Sequence, residues 1–141
     1  MRLRDFMERP HTIDAEASVE EALALGRGTL IVLSGKDVAG VISDHDLRAI
    51  PEVERAATKV TAVLRAIPSL APDDTVKEAA NVLRSRNAEC VPVVDDGKLV
   101  GSLSVARLLE LIGRGSLHIG ETNGRTVLRA RGPRPHRRPP S

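Results

Sequence analysis

Two short phrases of this chain carry the residue types of a ligand site: Ser43-Asp44-His45-Asp46 and Ser104-Val105-Ala106-Arg107. Before the first, Val38 to Ile42 reads as a buried strand that turns directly into a helix. Ser43 then stands at the helix N-cap, where its hydroxyl accepts from an unpaired backbone N–H. Asp46 follows in the first turn, where a carboxylate suits the positive end of the helix dipole. The same placement suits a nucleotide. A glycine-flanked strand-to-helix turn is an anion site, Ser43 can donate to a phosphate, and Asp46 can accept from two ribose hydroxyls. Ser-x-x-Asp is equally a helix cap, and Ser18-x-x-Glu21 and Thr75-x-x-Glu78 have the same form. Taken alone, the phrase favours the cap.

The elements that must position these residues come twice. In the first half, Arg2 to Met7 forms a helix-like lead and Thr12-Ile13 a short extended segment. Ser18 caps a helix that Gly26 and Gly28 stop, and Leu30 to Leu33 is an apolar strand. A polar turn over Ser34 to Asp37 joins it to the strand Val38 to Ile42, and a helix then runs to about Ile50. Leu3, Phe6 and Met7 recur 57 positions on as Val60, Val63 and Leu64, and Ser18-Val19-Glu20-Glu21-Ala22 recurs as Thr75-Val76-Lys77-Glu78-Ala79. Beyond that helix the offset is 61: Val91-Pro92-Val93-Val94 answers Leu30 to Leu33, and Leu99-Val100-Gly101 answers Val38-Ala39-Gly40. The pattern is a tandem duplication. Each copy predicts strand, helix, strand, strand, helix. Continuous apolar strands need cover on both faces, which one small copy does not provide, so two copies should pack sheet to sheet with helices outside.

Composition narrows the function classes. The chain has 141 residues, and Phe6 is its only aromatic, so bases have no stacking platform. The single cysteine, Cys90, excludes an intrachain disulfide and opens an apolar run, which predicts core packing and fits a reducing cytoplasm. No apolar run approaches the ~18 residues of a membrane span, so a cytoplasmic protein with no membrane partner is expected. Residues 1–112 hold 14 Lys and Arg against 18 Asp and Glu, whereas residues 113–141 hold 7 Arg against one acid. The four histidines are scattered without metal spacing, and no P-loop, dinucleotide fingerprint or activated nucleophile is present. Metal sites and catalytic sites are therefore not expected.

The ordered set of motifs resembles a tandem cystathionine-β-synthase (CBS) domain pair, the Bateman module. The resemblance rests on the Ser/Thr-Val-x-Glu-Ala helix starts, Val91-Pro92-Val93-Val94-Asp95, Lys98-Leu99-Val100-Gly101 and Gly40-Val41-Ile42-Ser43-Asp44-His45-Asp46-Leu47. It implies an α/β (α+β) fold of two β-α-β-β-α motifs with pseudo-two-fold symmetry, at residues 1–50 and 59–112, with a linker at 51–58. It also implies an adenosine ligand (AMP, ADP, ATP or S-adenosylmethionine) in a cleft between the copies, and a sensor rather than an enzyme. Carried over by residue, Ser43 would meet phosphate and Asp46 ribose. Thr12 and Ile13 would lie beside adenine, with Ile31 at the family's usual proline position. His45 is a further phosphate candidate, and so is Arg48, although an ordinary solvated side chain is the favoured reading of both. In the second copy Leu70, Pro92 and Ser104 match, but Arg107 stands where the carboxylate should be. Arginine has only donors, so an ordinary ribose site is not expected there; Arg107 can clamp an anion or pair with Glu110.

Ala79, Val82, Leu83, Leu108, Leu109 and Ile112 offer more apolar surface than one small domain buries, and the family pairs commonly as homodimers. Residues 113–141 form a basic extension. A hairpin is expected over 117–128 around Asn123-Gly124, then a disordered Pro- and Arg-rich tail over 131–141. Three functions remain in play: a nucleotide sensor that signals to a protein partner, a ligand-free dimerisation scaffold with a basic docking tail, and a nucleic-acid-binding accessory protein.

Overall fold

The computed structural model describes residues 1–115 and the backbone of two further strands, 117–122 and 125–130. The first copy runs β1 (Thr12–Asp14), α1 (Val19–Leu25), β2 (Thr29–Ser34), β3 (Asp37–Ser43) and α2 (Asp44–Arg48). The second runs α3 (Val76–Ser85), β4 (Cys90–Asp95), β5 (Lys98–Ser104) and α4 (Val105–Gly113). Strands β1, β2 and β3 form one sheet in that order, and β4 and β5 form another. The fold is α+β, built as two repeated halves.

The helix starts follow their sequence signals. Ser18 and Glu21 make a full capping box, with Ser18 Oγ accepting from Glu21 N at 3.0 Å and Glu21 Oε1 from Ser18 N at 3.1 Å. Thr75 caps α3 through Glu78 N at 3.1 Å. Gly26 ends α1 at φ 61°, a left-handed conformation that glycine adopts without a Cβ penalty.

Three elements differ from expectation. The lead is a short 3-10 turn, Leu3–Asp5. Helix α2 stops at Arg48, because Pro51 disfavours helical backbone at Ile50. In the second copy the first strand shrinks to a single parallel bridge, Leu70 to Val93. Pro68 and Pro72 flank Leu70, and neither has an N–H to extend a ladder.

The two copies are laced together by their leads. Glu8 pairs with Ser102 of β5 through N–O bonds of 2.8 and 3.0 Å, and Arg65 pairs with Val41 of β3 through two of 2.9 Å. Each copy thus lends one extended residue to the other's sheet. The cores are exchanged in the same sense. Leu3 sits with the second copy's Val76, Val91 and Leu103, while Val60 sits with the first copy's Val19, Leu30 and Leu47. Strand β2 is covered on both faces, as its apolar run requires: Leu30 and Val32 face the first copy's own core, and Ile31 faces the second's.

Two glycines permit the exchange. A Cβ on Gly40 would lie 2.4 Å from the carbonyl oxygen of Arg65, and one on Gly101 would lie 2.6 Å from the sulfur of Met7.

Much of the expected helical surface is spent inside the chain. Ala79, Leu83 and Leu108 are buried, Val82 and Ile112 pack on the same core, and only Leu109 of this set is well exposed, at 60%. The extension forms the antiparallel pair β6 (Leu117–Thr122) and β7 (Arg125–Ala130), two residues longer than the expected hairpin. Asn123, Gly124 and residues 131–141 lie outside the described residues.

Candidate ligand cleft

A cleft of about 820 Å³ opens between the copies. The first copy contributes Ile31, Val41, Ser43 and His45, and the second contributes Ser102, Ser104, Val105 and Leu109. Four expected site residues, Ile31, Ser43, His45 and Ser104, therefore share one wall system. Thr12, Ile13, Asp46, Leu70, Pro92 and Arg107 lie outside that lining. Thr12 is exposed, Ile13 packs against the first copy's core, Leu70 packs against the second's, and Pro92 is buried.

Both serines are caps. Ser43 Oγ accepts from Asp46 N at 3.1 Å, and Ser104 Oγ accepts from Arg107 N at 3.0 Å. Capping uses an oxygen lone pair and leaves the hydroxyl hydrogen. At Ser104 that hydrogen points to Glu8 Oε1, 3.4 Å away. At Ser43 that hydrogen serves the Asp46 carboxylate, so the serine and the acid are joined on the cleft wall.

Asp46 is already partnered. Arg65 donates from Nε to Oδ2 at 2.8 Å and from Nη2 to Oδ1 at 3.4 Å. The Arg65 hydrogen bond, then its positive charge, holds the Asp46 carboxyl below its ordinary range despite the partial burial that opposes this. A carboxylate offers about four acceptor positions, so the fork leaves room for a ribose hydroxyl on the remaining lone pairs.

Arg107 is turned to internal work. Its Nε donates to the Phe6 carbonyl at 3.1 Å and its Nη1 pairs with Glu110. The side chain is only 18% exposed. The two halves therefore carry opposite signs at matching positions. Helix α2 presents an acid, Asp46, to a base on the other copy's lead, Arg65; helix α4 presents a base, Arg107, and the acid Glu8 lies on the facing lead. The 57-residue offset that matches Val60 to Leu3 also matches Arg65 to Glu8, so the repeat itself pointed to this residue.

Arg9, His11 and Arg27 also stand on the cleft wall, beside the acids Glu8 and Glu89, none of which motif matching alone singled out. Cys90 reaches the same wall from β4 but is 6% exposed, and burial pushes its thiol up to about 11. It is a packing residue. Among the described residues no cluster of His, Cys, Asp or Glu could hold a metal ion.

The CBS-domain family model matches residues 3–52 and 60–114. The chain belongs to the CBS-domain family. Its two matched segments coincide with the two structural halves, so it carries a tandem CBS pair.

Solved CBS structures share this arrangement. AcuB of Vibrio cholerae is 27% identical, with a TM-score of 0.65 over 81% of this chain and 96% of that one. A CBS domain pair solved with 5′-methylthioadenosine and S-adenosyl-L-methionine is 20% identical, with a TM-score of 0.70 over 81% and 97%. The CBS domain of a bacterial CNNM/CorC family Mg2+ transporter, solved with ATP, is 22% identical, with a TM-score of 0.69 over 80% and 87%. Among curated proteins, inosine-5′-monophosphate dehydrogenase of Nitrosopumilus maritimus is 24% identical over 107 residues, which are 72% of this chain and 22% of that enzyme. The chain thus spans about a fifth of that relative. CBS pairs are generally regulatory, ligand-binding modules. Among the described residues no helix is long and apolar enough to cross a membrane.

Proposed function

We propose that this CBS pair is a regulatory, non-catalytic module of the cytoplasm that binds an adenosine ligand between its copies and passes the occupancy to a partner protein. The observation that carries this reading is the cleft, to which both copies contribute, with Ser43 on its wall and the Asp46 carboxylate three residues away. Ile31, Val41 and Leu109 supply an apolar bed suited to a base. Neighbouring folds solved with ATP and with S-adenosyl-L-methionine support the ligand class. Because the leads cross between copies, a ligand that draws the cleft walls together also moves the lead-to-sheet bridges. That gives occupancy a route to the surface and, in a homodimer, to the second subunit.

A thermal-shift panel of AMP, ADP, ATP, GTP and S-adenosylmethionine at millimolar concentration tests this. A ligand at 100 times its dissociation constant stabilises by about 2.7 kcal/mol, so at least one adenosine compound should raise the melting temperature by several degrees. No shift with any of them would sink the reading. A ligand-free scaffold would then take its place, since the Asp46–Arg65 and Arg107–Glu110 pairs already satisfy both helix-start side chains.

A further inference from the structure

We infer that the β6–β7 pair caps the helix pair of the second copy and holds a second copy of the chain off that face. Strand β6 lies against α4, and β7 lies against α3. Nearness to α4 follows from the chain, since β6 begins soon after that helix ends. Contact with α3 does not. It brings the end of the described chain back onto the first helix of the second copy. The extension therefore folds over the helix pair instead of leading away from it. It also lies outside both segments, 3–52 and 60–114, that match the family model, so it is an addition to the CBS pair.

The register shows what the hairpin needs. Leu117 pairs with Ala130 and Ile119 with Leu128, and paired residues share one face of a two-stranded ladder. The other face carries His118 with Arg129 and Thr122 with Arg125. One face is thus apolar, and the other is polar and basic. An isolated two-stranded hairpin is marginal in water and gains its stability by packing against a helix. Helices α3 and α4 offer that support. Their Ala80, Val82 and Ile112 stand at the margin of the core, packed on it but only partly buried. An apolar margin of this kind, left open, is a surface for a second copy, whose same two helices would meet it in an isologous contact. The hairpin occupies the face first. This does not depend on the adenosine reading, since no residue of α3 lines the cleft.

Hydrogen exchange and sedimentation velocity test the inference on the full chain, on a chain ending at residue 115, and on two single variants. The shortened chain keeps every residue of both hydrophobic cores and so retains the fold. In the full chain the β6–β7 amides should exchange at least about tenfold more slowly than in an unstructured peptide. The shortened chain should gain one association step across micromolar concentrations, doubling the mass of the full chain's species. Leu128→Lys, on the apolar face, should lose the protection and gain the same step. Val127→Lys, its neighbour on the other face, should do neither. Exchange at the unstructured rate in the full chain would overturn the inference. So would an unchanged mass for the shortened chain, or two lysine variants that behave alike. If the shortened chain does not fold, the mass of Leu128→Lys decides alone, and an unchanged one overturns the inference.

Discussion

Arg65, on the lead of the second copy, holds the carboxylate of Asp46, on the first helix turn of the first copy, in a fork of 2.8 and 3.4 Å. The pair joins two parts of the chain 19 residues apart in sequence and on opposite sides of the duplication. The Arg65 backbone is fixed on Val41, so its side chain alone can leave Asp46. The residue that would accept the ribose is thus restrained by a residue that also faces the cleft.

The pH dependence of this pair has a definite sign. The Asp46 pKa is lowered in the folded state by Arg65, so its contribution is fully present above the unfolded carboxyl value, about 4, and fades as pH falls through the lower folded value. The side chains are 20% and 45% exposed, so the pair is worth no more than about 1 kcal/mol. Chemical denaturation of wild type and Asp46→Asn should show a constant small difference above about pH 5 that closes below about pH 4. A difference that persists to pH 2 would mean that the carboxylate is not the source. Separately, Asp46→Ala should weaken the adenosine ligand at least tenfold, since each charge-assisted bond is worth about 1.5–3 kcal/mol.

The paired glycines make a sharper stability prediction. Gly40→Ala drives a Cβ to 2.4 Å from a backbone oxygen that is itself locked into the Val41 bridge. Gly101→Ala meets only the flexible end of Met7, at 2.6 Å from sulfur and 2.9 Å from Cγ. Overpacking costs about 1–3 kcal/mol, so Gly40→Ala should lie at or above the top of that range and Gly101→Ala near the bottom. Urea midpoints of the two variants check this. Equal losses near the bottom of that range would mean that the second-copy lead, which carries Arg65, is free to move.

Cys90 predicts a slow thiol. Burial raises it to about 11 and leaves it 6% exposed, so little thiolate exists at pH 8 and reagent has no approach. Native protein should react with a disulfide reagent only through opening of the fold, orders of magnitude more slowly than in denaturant. Because Cys90 lines the cleft, an adenosine ligand should slow the reaction further. Rapid labelling of the native chain would place the thiol on an open surface.

The duplication, the caps and the strand order were legible in the sequence because each rests on local chemistry. Ser18, Thr75, Ser43 and Ser104 sit at helix starts, and Gly26 sits at a left-handed stop. The exchange of leads was not legible, because an extended residue such as Glu8 or Arg65 pairs with whichever edge the packing offers. The charged lining of the cleft escaped for the same reason: Arg9, Arg27, Arg65 and Glu89 lie far apart in sequence and converge only once the copies interlock. The apolar helical positions were overcounted as free surface. Helical period marks a buried face without saying whether the same chain or another buries it, and Ala79, Leu83 and Leu108 are buried in their own chain.

Arg107 gives the last prediction, and it separates two accounts of the second copy. If arginine merely replaces a ribose-binding acid, Arg107→Asp should restore a second, weaker adenosine site. Its contacts argue otherwise. The guanidinium serves the Phe6 carbonyl and Glu110 at 18% exposure, so removing it strips both of their partner. An aspartate there also sets a carboxylate beside Glu110 and a carbonyl oxygen, like charge against like charge. Loss of a bond between charged groups costs about 1.5–3 kcal/mol, and Arg107→Asp should exceed Arg107→Met because repulsion is added. Glu110→Gln in the same chain should recover part of the loss by removing one of the two negative groups. Titration of Arg107→Asp with ATP should still show one binding event. A second event with unchanged stability would overturn this account and make Arg107 the residue that closed the site.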